Sequence, residues 1–212
     1  MSFEHIIVII SITWLAVISP GADFAVVSRN SSVHGRSAGL ASSAGIASGC
    51  WIHVAYAIFG LALIIEFFPD LFTYIQTAGA AYLIYIGIST ALAKPISDVP
   101  NSHILVVTNW RHYGTGVLTN SLNPKTSIFV ISLYSQVIGA QTPIPVQLLW
   151  GAFISASHFI WFAAISYFMS APQIRSWVLR HQKAFNLVIG IILALLGVLL
   201  FLADDLGGAP LV

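Results

Sequence analysis

Two ionisable side chains, Asp23 and Lys125, sit inside apolar runs long enough to cross a bilayer. Each follows a proline: one lies in Ser19-Pro20-Gly21-Ala22-Asp23, the other in Asn123-Pro124-Lys125. A charge in hydrocarbon costs about 2.5–3.5 kcal/mol on insertion scales, so such residues usually face a cavity or a partner. A proline removes a backbone donor and leaves a carbonyl unpaired, which breaks helical pairing beside each charge. Broken helices with nearby charges are how many transporters build a binding site near the midplane. The pattern therefore predicts a small membrane transporter.

The two motifs differ in sharpness. Around Pro20, Ser19 and Gly21 permit a kink or an unwound turn whose freed carbonyls and amides can meet a ligand. Asp23 lies six residues before Arg29, about 9 Å along a regular helix. It either reaches the inner interface and pairs with Arg29, or is a buried carboxylate that exchanges a proton, because desolvation disfavours its charged form. Around Pro124, the run Asn120-Ser121-Leu122-Asn123-Pro124-Lys125 places two amides and an ammonium mid-span. Lysine offers three donors and a point charge, suited to a ligand carboxylate or to Asp23. Asparagines can bind an amino group or satisfy backbone freed by the proline. Snorkelling to an interface would need a reach of roughly 18 Å, which favours a functional Lys125.

His53 and His158 are secondary candidates. A lone intramembrane histidine is usually a hydrogen-bonded packing residue; as a pair the two could bind metal or relay protons. No Cys or carboxylate has ligand spacing to either, so no metal site is assigned. Gly45-xxx-Gly49, with Ser42, Ser43 and Ser48, gives one span a small face for close helix approach. Trp14, Trp51, Trp110, Trp150, Trp161, Trp177 and Tyr113 include rings placed to anchor spans at the interfaces. His103, His112 and His181 fall on polar connections. There is no P-loop and no His-Glu-x-x-His, so coupled nucleotide hydrolysis within the chain is not expected.

The elements that must position these residues follow from composition. The 212 residues are 58% hydrophobic and 7% charged, with a mean hydropathy of +0.90. A soluble domain carries about 25% charged residues, so the main solvent here is lipid. A formal net charge of +1 gives no electrostatic footprint for nucleic acid. The single cysteine, Cys50, excludes a disulfide framework. Met1-Ser2-Phe3-Glu4-His5 lacks a basic n-region, so the first span is expected to be retained.

Six apolar stretches, about 4–28, 38–66, 70–93, 113–138, 146–170 and 183–203, each approach the roughly 20 residues a bilayer requires. Arg29, Arg36, Lys94, Arg111, Arg175, Arg180 and Lys183 all fall on or beside the first, third and fifth connections. Glu4, Glu66, Asp70, Asp204 and Asp205 lie on the opposite side. That places the basic connections in the cytoplasm and both termini outside. The expected fold is an all-α membrane protein, one transporter domain over 1–212. It comprises two three-helix halves, about 1–93 and 112–203, joined by a cytoplasmic linker of about 94–111. Three spans per half invert the second half relative to the first, which makes an inverted repeat with broken first and fourth helices. His53 follows Pro20 by 33 residues, and His158 follows Pro124 by 34.

The same residues resemble the amino-acid exporter family that includes the lysine exporters and the homoserine/threonine resistance proteins. That family's first span carries Pro-Gly-Pro followed by Asp or Asn, here Pro20-Gly21-Ala22-Asp23-Phe24. Its fourth carries Asn-Pro-Lys, here Asn123-Pro124-Lys125 preceded by Leu118-Thr119-Asn120. Gly79-Ala80-Ala81-Tyr82-Leu83-Ile84-Tyr85-Ile86-Gly87 and the run from Gly39 to Gly49 are also similar. Pro172-Gln173-Ile174-Arg175 resembles the threonine-exporting branch. In two places the chain departs from the pattern. Ala22 replaces the second proline, which predicts a softer, more nearly helical first break. Ser135-Gln136-Val137 stands where many relatives have Pro-Gln-Phe.

The resemblance implies proton-driven efflux of amino acids or their derivatives across a bacterial inner membrane, without a prosthetic group. The expected site has Lys125, Asn120 and Asn123 binding the substrate's carboxylate and amine. Pro20, Gly21 and Pro124 supply exposed backbone, and Asp23 is the proton-coupling group or the counter-ion of Lys125. The expected partners are an amino acid, protons and the bilayer; a homodimer is compatible with so small a bundle. The rivals are a divalent-metal or other small-solute exporter of the same superfamily, and a membrane-embedded enzyme or accessory subunit. An enzyme would need a further polar constellation at one membrane face, and the short connections offer none.

Overall fold

The computed structural model describes residues 3–93, 108–138 and 142–205. Most of the expected linker, 94–107, lies outside the described residues, as do both ends of the chain. Among the described residues the chain is helical, with no strand: α1 (Phe3–Ile18), α2 (Ala22–His34), α3 (Arg36–Phe67), α4 (Pro69–Ala91), α5 (Asn109–Ser121), α6 (Pro124–Leu133), α7 (Ile144–Met169) and α8 (Pro172–Asp205). A π-helical turn, Tyr134–Ile138, continues α6. Pro69, Pro124 and Pro172 each open a helix, where the missing N–H costs no hydrogen bond. Between α2 and α3 the chain turns at Gly35 with φ 85°, a conformation that glycine adopts without strain.

Among the described residues, three segments, Arg36–Leu61, Ile144–Met169 and Arg180–Leu199, are long and apolar enough to cross a membrane on their own. The first expected span meets the requirement only as a bent pair, Ile6–Ile18 with Ala22–His34 at 53°. The third and fourth expected spans correspond to α4 and to α5–α6, whose apolar portions, Thr77–Ala91 and Pro124–Leu133, are shorter. The chain is thus a multi-pass membrane protein, helical throughout its described spans. Two expectations need correction. The missing second proline does not leave the first span nearly helical, because Ser19–Gly21 fully interrupts it. The helix bounds also move at the first and fifth connections, which are largely helix, since α2 runs to His34 and α8 starts at Pro172. Charged residues there mark helices that outrun the hydrocarbon: α8 has 34 residues, about 50 Å at 1.5 Å per residue.

Two apolar clusters frame the breaks. The larger joins Ile9 and Ile12 of α1, Val54 and Ile58 of α3, Leu83 of α4 and Phe129, Val130 and Leu133 of α6. The smaller joins Phe24 and Val27 of α2 to Ile46 of α3 and to Phe162, Ile165 and Met169 of α7. The first break therefore lies between a helix committed to one cluster and a helix committed to the other.

The most extensive packing is α3 against α5 and α4 against α8. In both, backbones meet directly over glycines. A Cβ on Gly45 would lie 2.0 Å from the Tyr113 carbonyl oxygen, and one on Gly116 would lie 2.2 Å from that of Ser42. A Cβ on Gly60 or Gly114 would meet nothing within 4 Å beyond its own helix backbone. Gly45→Ala and Gly116→Ala should therefore each destabilise by about 1–3 kcal/mol through overpacking. Gly60→Ala and Gly114→Ala should gain about 0.5–1 kcal/mol from helix propensity. Thermal unfolding in detergent reads the difference as opposite shifts in Tm.

Candidate functional site

The two breaks are built differently. At the first, the last backbone bond of α1 runs from Ser19 N to Leu15 O, and the first of α2 from Ala25 N to Gly21 O. The Ser19 carbonyl belongs to neither ladder. Gly21 is extended, with φ −175° and ψ −162°, so its backbone does not demand glycine. What it provides is proximity: a Cβ there would touch Lys125 Cδ at 3.5 Å and Nζ at 3.7 Å. At the second break Asn123 caps α6, its Oδ1 accepting from the Lys125 backbone N–H at 3.0 Å. Pro124 follows as the first helical residue, so no donor is wasted.

These turns bring both charges to one place. Asp23 is 5% exposed and Asn120 is fully buried. Asp23 Oδ2 accepts from Asn120 Nδ2 at 2.9 Å and from Asn123 Nδ2 at 3.1 Å. Lys125 Nζ donates to the Ser19 carbonyl at 2.6 Å and to Ser19 Oγ at 2.8 Å. The charged groups line the same cavity, yet their hydrogen bonds go to different partners. The alternatives of an Asp23–Arg29 pair and of a snorkelling Lys125 are therefore not what the structure holds. Two buried oxygens, Asp23 Oδ1 and Asn120 Oδ1, have no hydrogen-bond partner. Both are acceptors, and leaving such atoms unpaired costs about 1–3 kcal/mol each.

The histidines take separate places. His53 Nε2 donates to the Asn120 carbonyl at 2.8 Å, while its Nδ1 accepts from the Tyr56 hydroxyl and lies 3.3 Å from Ser127 Oγ. It braces the end of α5 and is absent from the cavity wall. His158 lines the cavity, and its Nδ1 donates to the Ile154 carbonyl at 2.8 Å. No group of three or more His, Cys, Asp or Glu residues suited to a metal ion occurs among the described residues.

The cavity wall includes Val17, Ser19, Gly21, Asp23, Lys125 and His158, with Phe24, Phe129 and Phe162 as apolar cover. Its volume is about 20 Å³, room for about one water molecule. This is a closed arrangement, too small for an organic solute unless α1 and α2 part from α6 and α7. Ser19 was visible in the sequence only as part of the kink. Its role as the acceptor for Lys125, and the apolar cover from three phenylalanines, were missed: long-range pairing leaves no local signal.

Removing the Asn123 side chain deletes a cap and one donor to Asp23. Asn123→Ala should lower stability by about 1–3 kcal/mol, whereas Asn123→Ser keeps a capping oxygen and should recover about half. Hydrogen exchange across the first turn of α6 would locate the loss.

Comparison with known proteins agrees with this architecture. The family described as LysE type translocator matches residues 13–204. The chain is 32% identical over 200 residues to the uncharacterized membrane protein YrhP of Bacillus subtilis, covering 89% of this chain and 94% of that one. It is 29% identical over 194 residues to the threonine efflux protein of Escherichia coli, covering 89% and 93%. It is also 30% identical over 205 residues to the homoserine/homoserine lactone efflux protein of Salmonella typhi, covering 94% and 97%. No solved structure matches the chain. A family match over most of its length, on a helical membrane scaffold, makes this chain a member of the LysE type translocators: a transporter and not an enzyme.

Proposed function

We propose that the protein exports small neutral amino acids of the threonine or homoserine kind, in exchange for protons, by alternating access. The observation that carries this reading is the unpartnered acceptor Asp23 Oδ1 in the cavity that also holds the Lys125 ammonium; Asn120 stands behind Asp23, outside the cavity wall. A zwitterion complements both ends. Its α-ammonium supplies a donor to Asp23 Oδ1, and its carboxylate meets Lys125, a charge-assisted contact roughly twice as strong as a neutral one. The aromatic cover of Phe24, Phe129 and Phe162 suits an uncharged side chain. Two similar proteins, a threonine efflux protein and a homoserine/homoserine lactone efflux protein, point to the same substrate class.

Proton coupling follows from competition at one carboxylate. With no ammonium present, a proton on Asp23 removes the cost of an unpaired buried charge. Binding of substrate expels that proton, and by linkage each ligand weakens the other. A proton moving inward down the membrane potential supplies about 2.3 kcal/mol per 100 mV. In this cycle the breaks at Ser19–Gly21 and Leu122–Asn123 are the hinges. The six spans act as two inverted halves, about 1–93 and about 112–203, in a bacterial inner membrane with both termini outside. The site is drawn from one chain, so a homodimer would carry two complete sites.

Reconstituted protein should move labelled threonine or homoserine out of vesicles, faster when the receiving side is acidic. Lys125→Ala should cut the rate by about 30-fold or more, the loss for one member of a buried charge pair. Asp23→Asn should abolish the acceleration by the pH gradient. Wild-type rates in both variants, in protein that remains membrane-inserted, would refute the assignment.

A further inference from the structure

A carrier with a buried ammonium must move that charge through a closed state in both directions, loaded and empty. Loaded, the substrate carboxylate covers it. Empty, it needs other acceptors, because an unpaired charge in the interior is strongly disfavoured. The closed structure contains those acceptors. Lys125 Nζ donates both to the Ser19 carbonyl at 2.6 Å and to Ser19 Oγ at 2.8 Å. One residue thus presents two oxygens to the ammonium, as a carboxylate would.

Ser19 is placed for this by the break itself. It sits after the end of α1 and before the cap of α2, so its carbonyl is free of helical pairing. Its hydroxyl is fixed from a third element: Ser19 Oγ lies 2.7 Å from Thr90 Oγ1 near the end of α4. Ser19 and Thr90 are 2% and 4% exposed. Thr90 is absent from the cavity wall, so it acts on Lys125 only through Ser19.

We infer that Ser19, held by Thr90, is a built-in substitute for the substrate carboxylate, occupying Lys125 in the empty site and yielding it when substrate arrives. The inference rests on the transport reading above and adds two positioning residues to it. A substrate shifts a conformational equilibrium only through differential affinity for the two states. Here the difference is that a full negative charge displaces two neutral oxygens. Release of Lys125 from Ser19 also frees the first break from α6, so binding loosens the contact between the two breaks. The empty carrier closes again only when Ser19 has returned to Lys125.

The two transport modes separate this role from a merely structural one. Net efflux includes the return of the empty carrier, whereas exchange of internal for external threonine does not. Vesicles loaded with labelled threonine are diluted into buffer with or without external threonine, and the ratio of net efflux to exchange is measured. Thr90→Val should lower that ratio by about fivefold, the equilibrium effect of one net hydrogen bond. Ser19→Ala should act in the same direction, and Thr90→Ser should restore the wild-type ratio. Equal losses in both modes, or unchanged ratios in both variants, overturn the inference while leaving amino-acid export intact. A wild type that moves neither threonine nor homoserine in either mode overturns the transport reading, and this inference with it.

Discussion

A charge inside a membrane must be given polar company, and the interruption of two helices supplies that company here. An unbroken first span could not hold Lys125 in this way, because every helical carbonyl would be committed to its own ladder. Interrupting the first span at Ser19–Gly21 releases the Ser19 carbonyl, and Lys125 takes it. Interrupting the fourth at Leu122–Asn123 swings two asparagine side chains toward Asp23. Each break therefore solvates the charge of its counterpart. The breaks and the charges make sense only as a set, since removing either would leave the other as uncompensated polar surface in an apolar bundle.

The remainder of the fold keeps the two breaks facing each other. Apolar packing fixes α1 to α6 in one cluster and α2 to α7 in the other, so the first break is anchored on both sides. Gly45 and Gly116 let α3 and α5 approach to backbone contact, which carries Asn120 up against α3. There His53 grips the Asn120 carbonyl and fixes the end of α5. Close contact replaces the hydrophobic effect as the source of helix association, because lipid tails are as apolar as the side chains they would displace. The lipid-facing surfaces of α7 and α8 need no more than apolar bulk, and Leu149, Ile160, Leu195 and Leu199 supply it.

Much of the site was legible because its signals are local. A proline beside a charge in an apolar run is costly wherever the chain goes, so Pro20, Asp23, Pro124 and Lys125 identified themselves. Asn120 and Asn123 were legible by adjacency, although their amide groups turn to Asp23. What the sequence did not display is pairing across distance. The Ser19–Thr90 contact joins residues 71 positions apart, and nothing local marks Thr90. Gly45 was recognisable from its spacing to Gly49, but its true counterpart across the seam, near Gly116, was not. Hydropathy set the last span at about 183–203 and left residues 172–182 as a connection, yet they form the start of α8 beyond its apolar core. The first break also proved sharper than one proline implied, because the extended Gly21 completes what Pro20 begins.

The account's central claim is that the opposed charges form a receptor for a zwitterion and that its ammonium displaces a proton from Asp23. Calorimetric titration of the purified protein tests it directly, using threonine, its amide and its deaminated hydroxy-acid analogue in buffers of different ionisation enthalpy. The account predicts that only threonine binds tightly, with release of a proton. Equal binding of the hydroxy acid, or binding without any proton release at any pH, would contradict it.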